Sequence, residues 1–421
     1  MGNSNKEMVG AFEQILESFE DACVLSKLVS KYNTDQTTME RSNDVIWRPQ
    51  PYIASSYDGA DQTANFGGFT QLSVPATIGF FKSSNWSMYE NELRDAITEG
   101  RLGKAAKEKL ASDINVAVMN VAAKQGTLVV KRTTAATGFD DIAQIDSLMN
   151  EQGIQMSDRH LALSSRDYNG MTSNLAARST MTGKPEKAYT EGYVGDILGF
   201  KTYKLDYANS LTAAAGGGSI TMSTLDAGAN YYTPAATTVA STGELSNVDN
   251  RYQTITVSST TNVAAGDCFT VAGLYACHHI TKGSTGQLKT FRVISVPSST
   301  TLVISPPMIT NQGGTDAETV YQNCIISTKA SNSAITFLNT VTASVNPFWL
   351  KDAIEILPGR IAVPTNAGVE VMRGTTSNGL ELVMSKSLDI NTYKTKFRLD
   401  VKFGVVNTQP QMSGIMLFSQ S

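Results

Sequence analysis

The sequence predicts an α+β protein in which a small all-β domain interrupts a larger host domain. Between Ala213 and Ala343 the chain is rich in Ser, Thr and Gly, and it breaks into the short β-like runs RYQTITV, DCFTVAG, TFRVISV, TTLVISP and NCIIST. Helical and mixed strand patterns lie on both sides, and the flexible stretch AAAGGG at Ala213–Gly218 marks the entry. Because no catalytic constellation accompanies the insert, it indicates contacts or folding assistance rather than chemistry.

Length, composition and charge narrow the class of protein. The 421 residues have room for two or three domains, and 41% hydrophobic with 17% charged residues is typical of a folded chain. The formal net charge of −4 disfavours a dedicated nucleic-acid-binding protein, since such domains concentrate Lys and Arg. No apolar run approaches the ~18 residues of a membrane span, and the N-terminus lacks the apolar stretch of a signal peptide. We therefore expect a cytoplasmic product without a membrane partner.

The cysteines and histidines do not form a convincing site. Cys23, Cys268, Cys277 and Cys324 are too scattered for a disulfide framework, and the last three are expected to pack as small apolar residues. In Cys277-His278-His279, neighbouring strand residues point to opposite faces, so a metal site would need a turn. The sequence has no GxSxG, HExxH, GxGxxG or CxxC motif. It predicts a protein that is not an enzyme and holds neither metal nor cofactor.

An amphipathic helix is predicted from Met8 to Lys31. Val9, Phe12, Leu16, Phe19 and Cys23 recur at spacings of three and four, which places them on one stripe. Flanking this stripe is an acidic face formed by Glu13, Glu17, Glu20 and Asp21. Such a face is either an ordinary solvated surface or a recognition surface, and the residues themselves leave both readings open.

A strand, a long hairpin and a long helix follow. The strand lies around Val45–Trp47 and ends at Pro49-Pro51. A long hairpin follows in YIASSYDGADQTANFGGFTQLSVP, with its turn either near Asp58–Asp61 or near Gly67–Gly68, and its polar residues are typical of a flap that leaves the body of its own subunit. A helical region is predicted from Asn85 to Gln125, with Gly126 beyond its end. Its second part carries an apolar stripe of Leu102, Ala106, Leu110, Ile114, Ala117 and Val121.

The rest of the host domain alternates strands and helices. A strand at TLVV, a helix near Asp140–Glu151 and a strand at HLALS come first, and NPFWLKDAIEILPGRIAVP and TYKTKFRLDVKFGVVNTQPQMSGIML resume and close the domain after the insert. Asp140 and Asp141 could be acid/base carboxylates. At a helix N-terminus, however, carboxylates are explained by capping and by the helix dipole.

Several segments spread over the whole chain carry a family resemblance. They are MERSNDVIWRP, NELRDAI, VAVMNVAAKQGTLV, SNVDNRYQTITVS, TFRVISV, NPFWLKDAIEIL and LDVKFGVVNTQPQMSGIML. In these segments and their order the chain resembles the major capsid (coat) protein of Lederbergvirus-like short-tailed phages of the Salmonella-phage type. The resemblance implies the tailed-phage (Hong Kong phage type) major capsid fold with a telokin-like β-barrel insertion domain.

The resemblance also implies a division of the chain. Residues 1–34 would be the N-terminal arm, 35–48 and 80–130 the peripheral domain with its spine helix at Leu102–Gln125, and 49–79 the extended loop. Residues 131–212 and 344–421 would form the axial domain and closing strands, and residues 213–343 the insertion domain.

The implied function is that of a major capsid protein in the virion capsid. It would self-assemble as hexamers and pentamers, with scaffolding protein and portal protein, into an icosahedral procapsid in the host bacterial cytoplasm. The procapsid would mature into the shell that encloses double-stranded DNA without sequence-specific binding. Under this resemblance Glu13, Glu17, Glu20 and Asp21 would contact a basic element of the scaffolding protein on the inner surface.

One loop departs from the family pattern. The insertion-domain loop that reaches a neighbouring capsomer is charged in the family, whereas PAATTVASTGELSN holds only Glu244 before Asp249. We take Glu244, Asp249 and Arg251 as candidate inter-capsomer residues, with contacts that are either more polar than ionic or carried elsewhere. The alternative function is a carbohydrate-binding or hydrolytic protein with an accessory β domain, which would need a pair of acids in a cleft.

Overall fold

The computed structural model describes residues 12–13, 15–16, 19, 22–32, 45–50, 56, 58–63, 66, 70–89, 96–176, 187, 191, 194–205, 207, 210–215, 220–222, 231–326, 332–363 and 369–421. The α-helices with described bounds are α1 (Ala96–Gln125), α2 (Phe139–Glu151), α3 (Ser165–Ala176) and α4 (Asp316–Tyr321). The strands are β1 (Ser30–Lys31), β2 (Val45–Pro49), β3 (Ser73–Thr77), β4 (Phe80–Met88), β5 (Leu128–Lys131), β6 (Arg159–Leu163), β7 (Asp196–Ile197), β8 (Phe200–Lys204), β9 (Ser210–Leu211), β10 (Thr221–Met222), β11 (Thr237–Val239), β12 (Leu245–Asn247), β13 (Gln253–Thr256), β14 (Cys268–Cys277), β15 (Ser284–Ser295), β16 (Thr301–Ser305), β17 (Cys324–Ile326), β18 (Ser333–Phe337), β19 (Ala343–Ser344), β20 (Asn346–Leu350), β21 (Ile354–Pro358), β22 (Glu370–Thr375), β23 (Glu381–Asp389), β24 (Lys394–Asn407) and β25 (Ser413–Leu417).

The chain divides into two compact units. One comprises Met1–Ile46, Ala76–Val121 and Ile354–Val406, and the other comprises Trp47–Pro75, Ala122–Ala353 and Asn407–Ser421. The family resemblance implies that residues 344–421 group with residues 131–212. The structure separates residues 354–406 from that group, because β24 pairs along nearly its whole length with β23 and β4 of the first unit.

The sheet of the first unit has the order β1-β21-β24-β23-β22, and β4 lies alongside β24. We expected a helical region to begin at Asn85, and this is wrong, because β4 continues to Met88. Antiparallel pairing places Trp86 opposite Phe397, and their rings stack at 5.3 Å between centroids. Cross-strand aromatic pairs of this kind stabilise a strand over a helix.

The arm helix is shorter than its apolar pattern predicts. Phe12, Phe19 and Cys23 are buried as expected, and Val9 lies outside the described residues. The helix ends near Ala22 instead of Lys31, since a 3₁₀ turn at Leu25–Lys27 and strand β1 follow. Asn115 of α1 stabilises this end, because its amide donates to the Ala22 carbonyl at 3.0 Å and accepts from the Leu25 N–H at 3.2 Å.

Helix α1 contains the whole segment that was predicted as the spine helix, Leu102–Gln125. It begins six residues earlier, at Ala96. Its 30 residues span about 45 Å at 1.5 Å per residue. Five of the six predicted stripe residues are buried: Ala106, Leu110, Ile114, Ala117 and Val121. Leu102 is exposed, so the packed face begins one turn later than the pattern suggests.

A six-stranded sheet of order β5-β25-β20-β6-β8-β7 forms part of the second unit. The strands predicted at TLVV and HLALS and the helix at Asp140–Glu151 are confirmed. The Asp141 carboxylate accepts from the Gly138 N–H at 3.0 Å and pairs with Arg132 at 2.7 Å. Asp141 therefore caps the helix, as the capping explanation in the sequence analysis predicts for this carboxylate.

Helix α3 was missed in the sequence. The Ser164 hydroxyl accepts from the Asp167 N–H at 3.2 Å and donates to the Asp167 carboxylate at 2.8 Å. Ser164 therefore acts as the N-cap of the helix, and its own N–H donates to Asn346 Oδ1 at 2.8 Å. The run Ser-x-x-Asp was the available signal.

The insert forms a β-barrel. Its strands run in the order β10-β18-β14-β15-β16-β13, with β17 beside β14. A bridge between Met222 and Val257 closes the two ends, and the Ser258 N–H donates to the Thr221 carbonyl at 2.8 Å. Fourteen buried residues form one core. The entry strand β9 pairs with the exit strand β19, so the insert leaves and re-enters the host at one place.

We expect residues Ala213–Ala343 to fold alone, because this core is complete within the insert and about 130 residues suffice for a stable domain. The measurements are amide dispersion by NMR and a cooperative melting curve. Phe269→Ala, which removes a fully buried ring, should lower stability by about 3–5 kcal/mol. A collapsed spectrum without a melting transition would contradict the prediction.

Candidate functional site

The described histidines have structural surroundings. His160 is 2% exposed and lies between the rings of Trp349 and Tyr203, at 6.0 and 6.1 Å between centroids. Burial, with a smaller contribution from Lys201, lowers the pKa of His160 to about 4. A neutral imidazole packed between aromatic rings is a core residue, so it does not fit the role of a general base in a cleft.

Cys277, His278 and His279 bind three different partners. The Cys277 thiol donates to the Gln322 carbonyl at 3.3 Å, His278 Nδ1 accepts from the Ile280 N–H at 3.2 Å, and the His279 N–H donates to the Gln152 carbonyl at 3.0 Å. Cys268, Cys277 and Cys324 are all fully buried, as expected for small apolar residues. Over the residues that the structure describes, no His, Cys, Asp or Glu cluster could hold a metal ion.

In the described part of the chain, no helix combines the length and apolarity needed to cross a membrane.

The arm docks through its apolar side. A Cβ atom on Gly374 of β22 would lie 2.6 Å from Leu16 Cδ2 and 2.9 Å from Phe12 Cε1, so a larger residue at this position would force these arm side chains to shift. Glu13, next to Phe12, is exposed. The other predicted contact residues, Glu17, Glu20 and Asp21, lie outside the described residues.

The predicted insertion loop is an exposed hairpin of strands β11 and β12. Thr237 pairs with Asn247 and Val239 with Leu245. The turn is fixed by the Ala240 N–H, which donates to the Glu244 carbonyl at 2.9 Å, and by Gly243 at a φ of 82°. Glu244 is exposed in the turn, and Val239 and Leu245 are 64% and 67% exposed. The surface of the hairpin is therefore apolar and hydroxyl-rich, with a single charge.

Asp249 and Arg251 lie outside this hairpin and bind each other. The Arg251 Nη2 lies 2.7 Å from Asp249 Oδ2, and Nε lies 2.9 Å from Oδ1. Arg251 is 8% exposed, and its Nη1 donates to the Asn407 carbonyl at 3.0 Å. The structure thus does not bring the three candidate residues together, and it gives Arg251 an intramolecular role because its donors are already engaged.

The joint between the insert and its host is a feature that we missed in the sequence. Three buried side chains of β15 donate to residues outside the insert: Lys289 to Gln411 Oε1 at 2.9 Å, Thr290 to the Thr127 carbonyl at 2.8 Å, and Arg292 to the Gly126 carbonyl at 3.2 Å. Burial lowers the pKa of both Lys289 and Arg292. The sequence feature that could have indicated this joint is the pair of cationic residues, Lys289 and Arg292, within the otherwise apolar strand LKTFRVIS.

In the described part of the chain, the features that lie ready for contacts are the docked arm and the exposed hairpin, and His160 and Cys277 have structural surroundings. The family model described as "P22 coat protein - gene protein 5" matches residues 1–419, so the chain belongs to the P22 coat protein family. It is a phage major capsid protein that forms the shell of the virion and is not an enzyme.

Solved structures of other phage proteins are similar to the chain. The CUS-3 coat protein I-domain is 36% identical over 30% of this chain and 99% of that one, with a TM-score of 0.22. A structure titled "Mycobacterium phage Che8" is 9% identical over 94% of this chain and 90% of that one, with a TM-score of 0.45. The capsid of the cyanophage P-SCSP1u is 11% identical over 94% and 87%, with a TM-score of 0.44.

The family match confirms the resemblance seen in the sequence and favours the capsid function over the carbohydrate-binding or hydrolytic alternative. The predicted fold class is also confirmed, since the chain is α+β with an inserted β-barrel.

Replacing Asp249 by Asn should destabilise the subunit by about 2 kcal/mol, because the buried Arg251 guanidinium would lose its charged acceptor. The measurement is the midpoint of urea unfolding. The control is Glu244→Gln on the exposed turn, which should change stability by less than about 0.5 kcal/mol. Equal midpoints for the two variants would show that the ion pair does not stabilise the fold.

We expect stability to fall as the pH drops from about 6.5 to about 4. The pKa of His160 is lowered to about 4 in the folded state, so between these values the unfolded chain binds more protons than the folded chain. His160→Phe should reduce this pH dependence, since it keeps an aromatic ring between Trp349 and Tyr203. Thermal midpoints measured between pH 7 and 4 test this, and an unchanged slope in the variant would contradict it.

Proposed function

We propose that this capsid protein assembles in the host bacterial cytoplasm, with scaffolding protein and portal protein, into an icosahedral procapsid built from hexamers and pentamers. The procapsid then matures into the shell around double-stranded DNA. Membership of the coat protein family is the observation that carries the proposal. The formal net charge of −4 is compatible with enclosing DNA without reading its sequence.

The arm is the proposed scaffold contact. Its apolar side is occupied by Gly374 and the core, so the acidic side, represented by the exposed Glu13, is the side that remains available to a partner. A basic scaffold element would meet Glu13, Glu17, Glu20 and Asp21. Each exposed ion pair contributes only ~0.2–1 kcal/mol and is screened by salt, which suits a partner that must leave again.

The insertion domain is proposed to assist subunit folding and to bridge capsomers through the hairpin of β11 and β12. The self-contained barrel core supports the first role. The exposure of all six strand residues of the hairpin supports the second. Of the candidate inter-capsomer residues, Glu244 has the exposed position that the bridge requires. Asp249 and Arg251 form an ion pair with each other within the subunit.

An arrangement of arms and loops on a rigid core suits an icosahedral assembly. One chain must occupy several environments in such a shell, so its contacts should be modest and carried by arms and loops on a rigid core. We propose residues 1–34 as the arm, 49–79 as the extended loop, 213–343 as the insertion domain, and the remainder as peripheral and axial domains.

Reversing Glu17 and Asp21 to Lys together should reduce the scaffold content of procapsids and produce aberrant shells, because the introduced lysines would repel a basic partner. The melting temperature of the subunit should stay nearly unchanged, since exposed charges contribute little to stability. Scaffold content is measured by gel densitometry of purified procapsids and shell shape by negative-stain microscopy.

The matched control is Phe12→Ala, which should weaken the docking of the arm itself and lower the melting temperature. The variant with Glu17 and Asp21 reversed to Lys could instead form normal procapsids with full scaffold content at every salt concentration. That result would identify the acidic face as an ordinary solvated surface.

A further inference from the structure

We propose that a cavity at the joint between the insert and its host is a binding site for a small organic anion that has an apolar body and a hydroxyl group. The cavity has a volume of about 660 Å³, within the range of about 300–1,000 Å³ that is usual for small-molecule sites. The end of α1, strand β9, the loop before β14 and the second half of β15 contribute most of its lining. We call it the joint cavity, and all of its lining belongs to the second unit.

The lining of the joint cavity includes a buried cation with an unused donor. Arg292 is 2% exposed, and its Nη1 donates to the Gly126 carbonyl at 3.2 Å. Its buried Nε has no hydrogen-bond acceptor among the residues that the structure describes. Nε and Nη2 form one of the edges through which a guanidinium binds a carboxylate or phosphate with two parallel hydrogen bonds. A buried donor without an acceptor costs free energy, and an anion in the cavity would remove that cost.

The acidic residue of the lining does not satisfy this donor. Asp267 Oδ2 accepts from the Ala264 N–H at 2.9 Å, and Asp267 Oδ1 accepts from the Asn339 amide at 2.9 Å. Burial lowers the pKa of Arg292, and the opposing attraction of Cys268 and Asp267 does not offset this effect. The guanidinium therefore favours a further anionic partner.

The rest of the lining suits an apolar body with a polar substituent. Leu211 and Val345 line the cavity and pack in a buried hydrophobic cluster. Gln125 Oε1 is also buried, and it has no hydrogen-bond donor in the described part of the chain. It accepts only, so it requires a donor such as a hydroxyl on the ligand. Lys124 is exposed in the same lining and adds a second cation. The lining thus favours a hydroxylated organic anion over an inorganic ion or a purely apolar molecule.

An occupied joint cavity would link the host to the insert. Gln125 and strand β9 belong to the host, whereas Arg292 belongs to the insert. A ligand that contacts both sides stabilises the arrangement that it binds, by mass action. The inference concerns the single subunit, so it does not depend on the proposed contacts with scaffolding protein or portal protein.

The first test measures binding of 3-hydroxy-2-naphthoate, a fluorescent aromatic carboxylate with a hydroxyl group, to the full-length subunit. It should bind at a single saturable site, and 2-naphthol, which lacks the carboxylate, should bind at least about tenfold more weakly. R292K keeps the charge but removes the Nε donor, and it should weaken binding of the carboxylate by a similar factor. The matched control K124Q removes the exposed cation of the same lining and should have a much smaller effect, since exposed charges contribute little. Equal affinity for the two compounds, or equal losses in the two variants, would overturn the proposal.

The second test locates the ligand without changing Arg292. The native cysteines are all buried, so A265C introduces one reactive thiol in the exposed loop that lines the cavity. Saturating 3-hydroxy-2-naphthoate should slow maleimide labelling of A265C at least tenfold. The control S299C, on the exposed turn between β15 and β16, should react at an unchanged rate. Unchanged labelling of A265C, or equal slowing at the two positions, would contradict the proposal. If R292K fails to fold, this experiment and the comparison with 2-naphthol decide.

Discussion

The second unit depends on buried cations that are held by neutral oxygens. Lys289 and Arg292 are almost completely buried, and they donate to the Gln411 amide and the Gly126 carbonyl. Removing two charges from water is costly, and the cost is offset only when the donors find well-placed acceptors. Gly126 directly follows helix α1, where the backbone carbonyls carry a partial negative charge that favours a cation. The strand of the insert and the end of the helix therefore hold each other in a single position.

A single position matters because a shell repeats each contact many times. The connections of the insert reinforce it: Asn339 donates to the Thr212 carbonyl and the Asp267 carboxylate, both at 2.9 Å, beside the paired entry and exit strands. A swivelling insert would point the hairpin of β11 and β12 in many directions, and each subunit would lose entropy on binding its neighbour. Buried polar bonds are directional, so they fix an orientation that an apolar joint alone would leave less defined.

Local patterns in the sequence predicted the features that depend on local physics. The spacing of three and four identified the buried faces of the arm and of α1, and the β-like runs identified five strands of the barrel. Pairing between distant strands could not be predicted this way. Nothing in the run FFKSSNWSM reveals that it pairs with residues 395–403, and this pairing joins residues 354–406 to the first unit. Arg251 shows the same limit, since its acceptor at Asn407 is 156 residues away.

Gly374 and Asn115 show how packing, rather than helix propensity, positions the arm helix and sets its C-terminal end. Gly374 provides the space for Phe12 and Leu16, and Asn115 satisfies the backbone groups at the point where the helix stops. Neither residue belongs to the arm, so the apolar stripe continues in the sequence beyond the helix that it forms. The length of the arm helix is therefore determined by the residues against which it packs. Phe12 and Phe19 are buried and Glu13 is exposed, so the charge of Glu13 costs the fold little.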